Sequence, residues 1–150
     1  MKEDQLSHII PIVAFALTIL LFTSCKKYEE GPALSLRSKK SRLANTWQRE
    51  RKLVNGSEVA LNTTDQSYRL TLKKNGDAKE LNEDVFLQEE GMGKWSLESD
   101  KEQLKIFVKF SEDVHRTTVY TIVRLKEKEL WLSEMLNDGK VVEYRLVPGF

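Results

Sequence analysis

Cysteine is nearly missing from this 150-residue chain, with Cys25 the only one. That excludes an intrachain disulfide and a thiolate metal site. Histidine is almost as scarce, at His8 and His115, so no His-rich metal cluster can form. A basic excess is lacking too. Lysine and arginine total 24 against 23 acidic residues, a net charge of +1, which argues against generic nucleic-acid binding. Apolar runs long enough to span a bilayer are also missing. The longest, Ile9 to Phe22, is 14 residues interrupted only by Thr18 and carrying Pro11 near its start. A crossing helix needs about 20. Long stretches of amphipathic helical periodicity do not occur.

What is present begins with that short apolar run. A run of this length followed by small residues is the layout of a secretory signal. Leu21-Phe22-Thr23-Ser24-Cys25 resembles the lipobox of bacterial lipoproteins, in which small residues precede an acceptor cysteine. Phe22 stands where leucine is commoner, and Lys2 is offset by Glu3 and Asp4. The alternative is an uncleaved N-terminal anchor. The resemblance implies that residues 1–24 are a lipoprotein signal peptide and that Cys25 carries a diacylglyceryl thioether, usually with an N-acyl group. It also implies a location on the bacterial outer membrane, with the membrane as first partner through lipidated Cys25. Lys26-Lys27-Tyr28-Glu29-Glu30 follows. It resembles the surface-export signal of Bacteroidota-type lipoproteins, and a solvated tether is the equal alternative. Residues 25–40 then form a lipidated tether and 41–150 a folded domain. The mature chain carries 23 basic and 21 acidic residues once Lys2, Glu3 and Asp4 are removed. A domain of that size buries enough surface to stand without disulfide or metal.

Ser38 to Ala44 is expected to form a short helix, with Ser38 as its N-cap and Leu43 as its apolar contact. Turn signals then recur at strand spacing. Eight strands are expected, at Trp47–Val54, Ser67–Lys73, Ala78–Leu81, Lys94–Leu97, Leu104–Phe110, Arg116–Leu125, Leu130–Met135 and Val141–Val147. The first of these strands ends at Asn55-Gly56, and Asn75-Gly76 marks a hairpin, because both central turn positions tolerate positive φ. Tyr68, Leu70 and Leu72 alternate with Arg69, Thr71 and Lys73, Leu104, Ile106, Val108 and Phe110 with Lys105, Phe107 and Lys109, and Val142, Tyr144 and Leu146 with Val141, Glu143 and Arg145. One dry and one wet face follow. Sequential hairpins make a meander, and a meander loses its edges by closing. The fold class is all-β, an eight-stranded up-and-down antiparallel barrel with a short N-terminal helix. An open sandwich uses the same pattern.

Leu43-Ala44-Asn45-Thr46-Trp47 at the start of strand one and Gly93-Lys94-Trp95-Ser96-Leu97 in the middle resemble small lipocalin-like lipoproteins of Bacteroidota-type bacteria. Asn45 stands where the lipocalin signature has glycine, and asparagine is the next best residue at positive φ. The resemblance implies a barrel open at one end and binding rather than catalysis. It also implies that Trp47 plugs the closed end, with Arg145 in the position of the basic residue that stacks over it.

Nothing in the chain resembles catalytic machinery. No serine stands in a nucleophile elbow, and Gly91-Met92-Gly93 is too short for a phosphate loop. His115 adjoins the Ser111–Asp113 turn without metal-ligand company. The chain is read as a non-enzyme, without cofactor or metal site. Candidate ligand-binding residues are Tyr68, Trp95, Tyr144, Arg49 and Arg51. Tyr68 and Trp95 could line a cavity, but their place on apolar faces favours core packing. Trp131, between Leu130 and Leu132, is expected outside, in a partner-binding patch or beneath the N-terminal helix. If Trp47 faces inward, strict alternation puts Arg49, Arg51 and Leu53 on the same side. There the two guanidiniums would hold an anionic head group while apolar walls hold a tail. The alternative is a bulge after Trp47 that swings both into solvent. Two functions follow: a lipid-anchored module holding a small apolar or anionic amphipathic ligand, or a protein–protein module with a filled core.

Overall fold

Short hydrophobic alternations separated by tight turns build this chain, and the turns decide how the strands meet. The computed structural model describes residues 37–83 and 88–149. The signal segment, Cys25 and most of the tether lie outside them. Helix α1, Lys39–Leu43, is capped by Ser38, whose hydroxyl accepts the Ser41 N–H at 3.1 Å. One turn and a half is too short to stand alone. It is held by buried Leu43 and by Arg42 Nη1, which donates to the Leu125 carbonyl at 2.7 Å.

Nine strands follow: β1 Thr46–Val54, β2 Ser57–Val59, β3 Arg69–Leu72, β4 Asp77–Glu83, β5 Gln88–Glu98, β6 Gln103–Lys109, β7 His115–Leu125, β8 Leu130–Met135 and β9 Val141–Pro148. Helix α2, Thr63–Ser67, precedes β3, and a 3-10 turn at Ser99–Lys101 joins β5 to β6. From β3 onward each strand pairs antiparallel with the next, and β9 returns to pair with β1. β1 and β3–β9 thus close an eight-stranded barrel. β2 is a flap folded back on the outer half of β1, from Lys52↔Val59 to Val54↔Ser57.

All eight expected strands are present, as is the capped helix. The flap and α2 were not foreseen. Asn55 and Gly56 both have positive φ (48° and 79°), as a two-residue hairpin turn requires. The strand they start is three exposed residues with no apolar alternation to reveal it. In α2 the Asn62 side chain accepts the Asp65 N–H at 2.7 Å, a polar cap on a polar helix. β5 begins earlier than Lys94 because Gly91 and Gly93 lie inside it. A Cβ at Gly93 would sit 1.9 Å from the Phe107 carbonyl oxygen, and one at Gly91 2.7 Å from the Phe110 ring. These glycines permit close approach rather than opening a strand.

β1 starts beside α1, so this end is closed and the Asn55-Gly56 end is open. The inward positions change character along the axis. On β3 they run Leu72, Leu70, Tyr68 from closed to open end; on β4, Ala78, Glu80, Asn82; on β8, Leu130, Leu132, Glu134. On β7 they run Leu125, Ile122, Tyr120, Thr118, Arg116, with a register shift at Val123 that keeps both Ile122 and Leu125 inside. The closed half is a packed aliphatic core floored by Trp47, which is fully buried and donates its indole N–H to the Leu43 carbonyl at 2.9 Å. The open half is polar.

Candidate functional site in the mouth of the barrel

The polar half surrounds a cavity of about 350 Å³. Its walls include Arg49 and Lys52 from β1, Asp65 from α2, Tyr68, Asn82 from β4, Arg116, Thr118 and Tyr120 from β7, Glu134 from β8 and Tyr144 from β9. No aliphatic side chain is among the lining residues.

Arg49 organises one wall. Its guanidinium lies 3.8 Å from the Tyr68 ring centre and 4.1 Å from that of Tyr144, a cation held between two aromatic faces. Its Nη1 donates to Asp65 Oδ1 at 2.5 Å, and Lys52 Nζ reaches the other carboxylate oxygen at 3.0 Å. Burial works against the Arg49 charge, but the facing tyrosines and Asp65 outweigh it and raise the pKa. Outside the lining, Glu80, 1 % exposed, accepts the Tyr68 hydroxyl at 2.9 Å and a hydrogen bond from Arg116. Arg116 also lies over the Phe110 ring at 5.2 Å. Tyr120 meets Tyr144 edge-to-face, with ring centres 6.4 Å apart. Burial, helped by nearby carboxylates, pushes the Tyr144 phenol up to about 12 and those of Tyr68 and Tyr120 well above the usual phenol range. All three are neutral at physiological pH.

The structure brings together three of the residues singled out from the sequence: Arg49, Tyr68 and Tyr144. It separates Arg51 from them. The ladder between β1 and β9 slips between Arg49 and Arg51, so the bulge follows Arg49, two residues later than the alternative supposed. Arg49 therefore stays inside, Lys52 takes the next inward place, and Arg51 turns out to pair with Glu58 of the flap. Trp95 is also elsewhere. It is buried near the closed end, with its indole N–H donating to the Lys73 carbonyl at 2.9 Å.

Arg145 does not cover Trp47. Its neighbour Leu146 takes the inward position, and Arg145 lies 3.9 Å over Trp131 on the outer face, where Arg124 covers the same ring at 4.5 Å. Trp131 is thus external as expected, but sandwiched by two guanidiniums. His115 is exposed against Phe107. Among the described residues no group of three His, Cys, Asp or Glu side chains is placed to hold a metal, and no helix is long and apolar enough to cross a membrane.

The sequence reading missed Lys52, Asp65, Glu80, Arg116, Tyr120 and Glu134. For four of them a signal exists: extending the alternation from Ala78, Ile122 and Leu132 toward the turns reaches Glu80, Tyr120 and Arg116, and Glu134. Lys52 and Asp65 carry none.

No known protein-family pattern matches this chain, and no curated protein does. Among solved structures it is similar to a lipocalin-like protein from Bacteroides uniformis, with a TM-score of 0.54 and 13 % identity. The match covers 72 % of this chain and 99 % of that one. At that identity the likeness concerns the fold alone: the described domain is a lipocalin-like, closed eight-stranded antiparallel barrel with a polar chamber at its open end.

Proposed function

We propose that this chain is a lipid-anchored binding module of the bacterial envelope, holding a small polar molecule in the mouth of its barrel. The observation that carries this reading is the charge balance of the cavity. Arg49, Lys52 and Arg116 face Asp65 and Glu134 around a space of about 350 Å³, within the usual range for small-ligand sites, and Glu80, outside the lining, balances Arg116 by pairing with it. Balanced fixed charges with phenol, amide and hydroxyl donors suit a ligand that is neutral or zwitterionic overall. A fatty acid suits the walls poorly, because the aliphatic half of the interior is filled by side chains.

Saturation-transfer NMR on the mature chain against zwitterions, small sugars and fatty acids tests this. Saturable binding within the polar set is expected. Thr118→Val and Asn82→Leu, which remove lining polar groups outside the ion pairs, should each weaken it about tenfold, the value of one hydrogen bond. Binding confined to fatty acids, or absent throughout, would overturn the reading.

The anchor rests on the leader and on Cys25, and the described chain begins beside the closed end. Two or three acyl chains hold almost permanently, where one is marginal. The wild-type precursor expressed in a lipoprotein-processing host should therefore enter the detergent phase, and Cys25→Ser should remain aqueous. Equal partitioning with unlipidated masses for both removes the anchor.

A further inference from the structure

The closed end carries a second cavity that the binding reading leaves unused. It measures about 370 Å³ and lies between α1, β5 and the Ser99–Lys101 turn. Lys39, Lys40 and Lys101 stand around it, and Trp95 and Leu97 form an apolar floor. Lys40 Nζ is 5.9 Å from the Trp95 ring centre, and Lys39 Nζ donates to the Lys101 carbonyl at 2.7 Å, drawing α1 against the turn.

Around it Arg37, Lys39, Lys40, Arg42, Lys73, Lys74 and Lys101 outnumber Glu98, Asp100 and Glu102 of the adjoining turn. From Arg37 to Ala44 there are four basic residues and no acidic one, and the neighbouring β3–β4 turn adds Lys73 and Lys74. The β7–β8 turn alternates lysine and glutamate and is neutral. The opposite end is acidic at its surface, with exposed Glu89, Glu112 and Asp113, while Glu90 there is paired with Lys79 and Asp138 with Lys140. The chain before Arg37 joins the domain at the basic end.

We propose that this cavity is a seat for the phosphate of an anionic phospholipid, and that the closed end rests on an anionic bilayer surface. The lysines supply the charge that meets a phosphodiester. Trp95 and Leu97 supply an apolar surface for the glycerol and first methylenes, an arrangement suited to the membrane–water boundary. The acidic rim at the far end opposes the inverted orientation, so the field of the domain turns the closed end to the membrane. A free phosphate compound would find the same lysines but no use for the apolar floor or for the wider basic face.

The claim stands apart from the anchor and the mouth cavity, and its test removes the anchor. Mature protein carrying Cys25→Ser is sedimented with phosphatidylcholine vesicles and with vesicles containing phosphatidylglycerol. Partitioning should favour the anionic vesicles and fall as salt is raised. One lysine near such a surface contributes about fivefold, so Lys39→Gln with Lys40→Gln and Lys101→Gln should lose at least tenfold. Lys40→Glu alone, which breaks no hydrogen bond to the backbone, should lose about fivefold or more. Lys140→Gln at the far end should leave partitioning unchanged. Equal partitioning into both vesicles overturns the proposal. So does saturable binding of glycerol phosphate without vesicle partitioning, which would make the cavity a site for a soluble phosphate.

Discussion

Trp47→Ala should lower the stability of the barrel by about 4 kcal/mol, within the range for truncating a large buried aromatic. Trp47 is fully buried at the floor of the core, between the aliphatic interior and α1. Alanine removes the ring and leaves a cavity that β-strands fixed by their ladders cannot collapse to fill. It also removes the bond from the indole N–H to the Leu43 carbonyl, worth about 1 kcal/mol net. That bond ties α1 to the first strand, so the lid should loosen together with the floor. Urea unfolding measures the effect as a shift in midpoint at unchanged slope. Trp47→Phe separates the two parts: it keeps most of the apolar area and loses the hydrogen bond, and should cost about 1–2 kcal/mol. A Trp47→Ala midpoint equal to that of the parent would mean that the ring supports nothing.

Much of this architecture was legible wherever apolar residues mark the period. Leu104, Ile106 and Val108 fix the phase of β6, and Leu70 and Leu72 fix that of β3. The closed half of the barrel could be read for that reason. The open half could not, because there the inward positions are polar and look like an outer face. Glu80 shows the difficulty. Beside Leu81 it reads as solvent-facing, yet Ala78 sets the parity and turns Glu80 inward while Leu81 points out. The bulge in β1 is hidden by the same physics. From Gln48 to Lys52 every residue is polar, so a slip of one position changes nothing visible in the pattern. It decides the site nonetheless, exchanging Arg51 for Lys52. Asp65 sits on a five-residue helix with no apolar period, and only the tertiary fold carries it to Arg49. Arg145 was assigned by its place near the end of the last strand, where the strand's own alternation already set Leu146 inward.

The wall built on Asp65 should be the most sensitive part of the mouth. Asp65→Asn should cost about 3 kcal/mol, the lower end of the range for breaking a buried ion pair by removing one partner. The Asp65 side chain is 5 % exposed, and its two oxygens engage Arg49, 13 % exposed, and Lys52, 22 % exposed. Without the carboxylate two cations remain in a largely dry wall. Lys52 can reach some water and Arg49 keeps its two tyrosine faces, which holds the cost at the lower end. A further few tenths comes from losing an acidic side chain in the first turn of α2. Removing both charges distinguishes this account from a general sensitivity of α2. In an Arg49→Met background the same Asp65→Asn change should cost about 1–2 kcal/mol less, since the strongest of the two unpaired cations is already gone. Equal costs in both backgrounds would locate the effect in the helix and not in the pair. The single substitution also alters the chamber itself. Three cations would face two carboxylates, and a mouth suited to neutral or zwitterionic molecules should turn toward anions. The same NMR competition reads this directly: fatty acids or small carboxylates should gain on the polar neutral set in Asp65→Asn. An unchanged ranking would mean that the charge balance of the cavity does not choose its ligand.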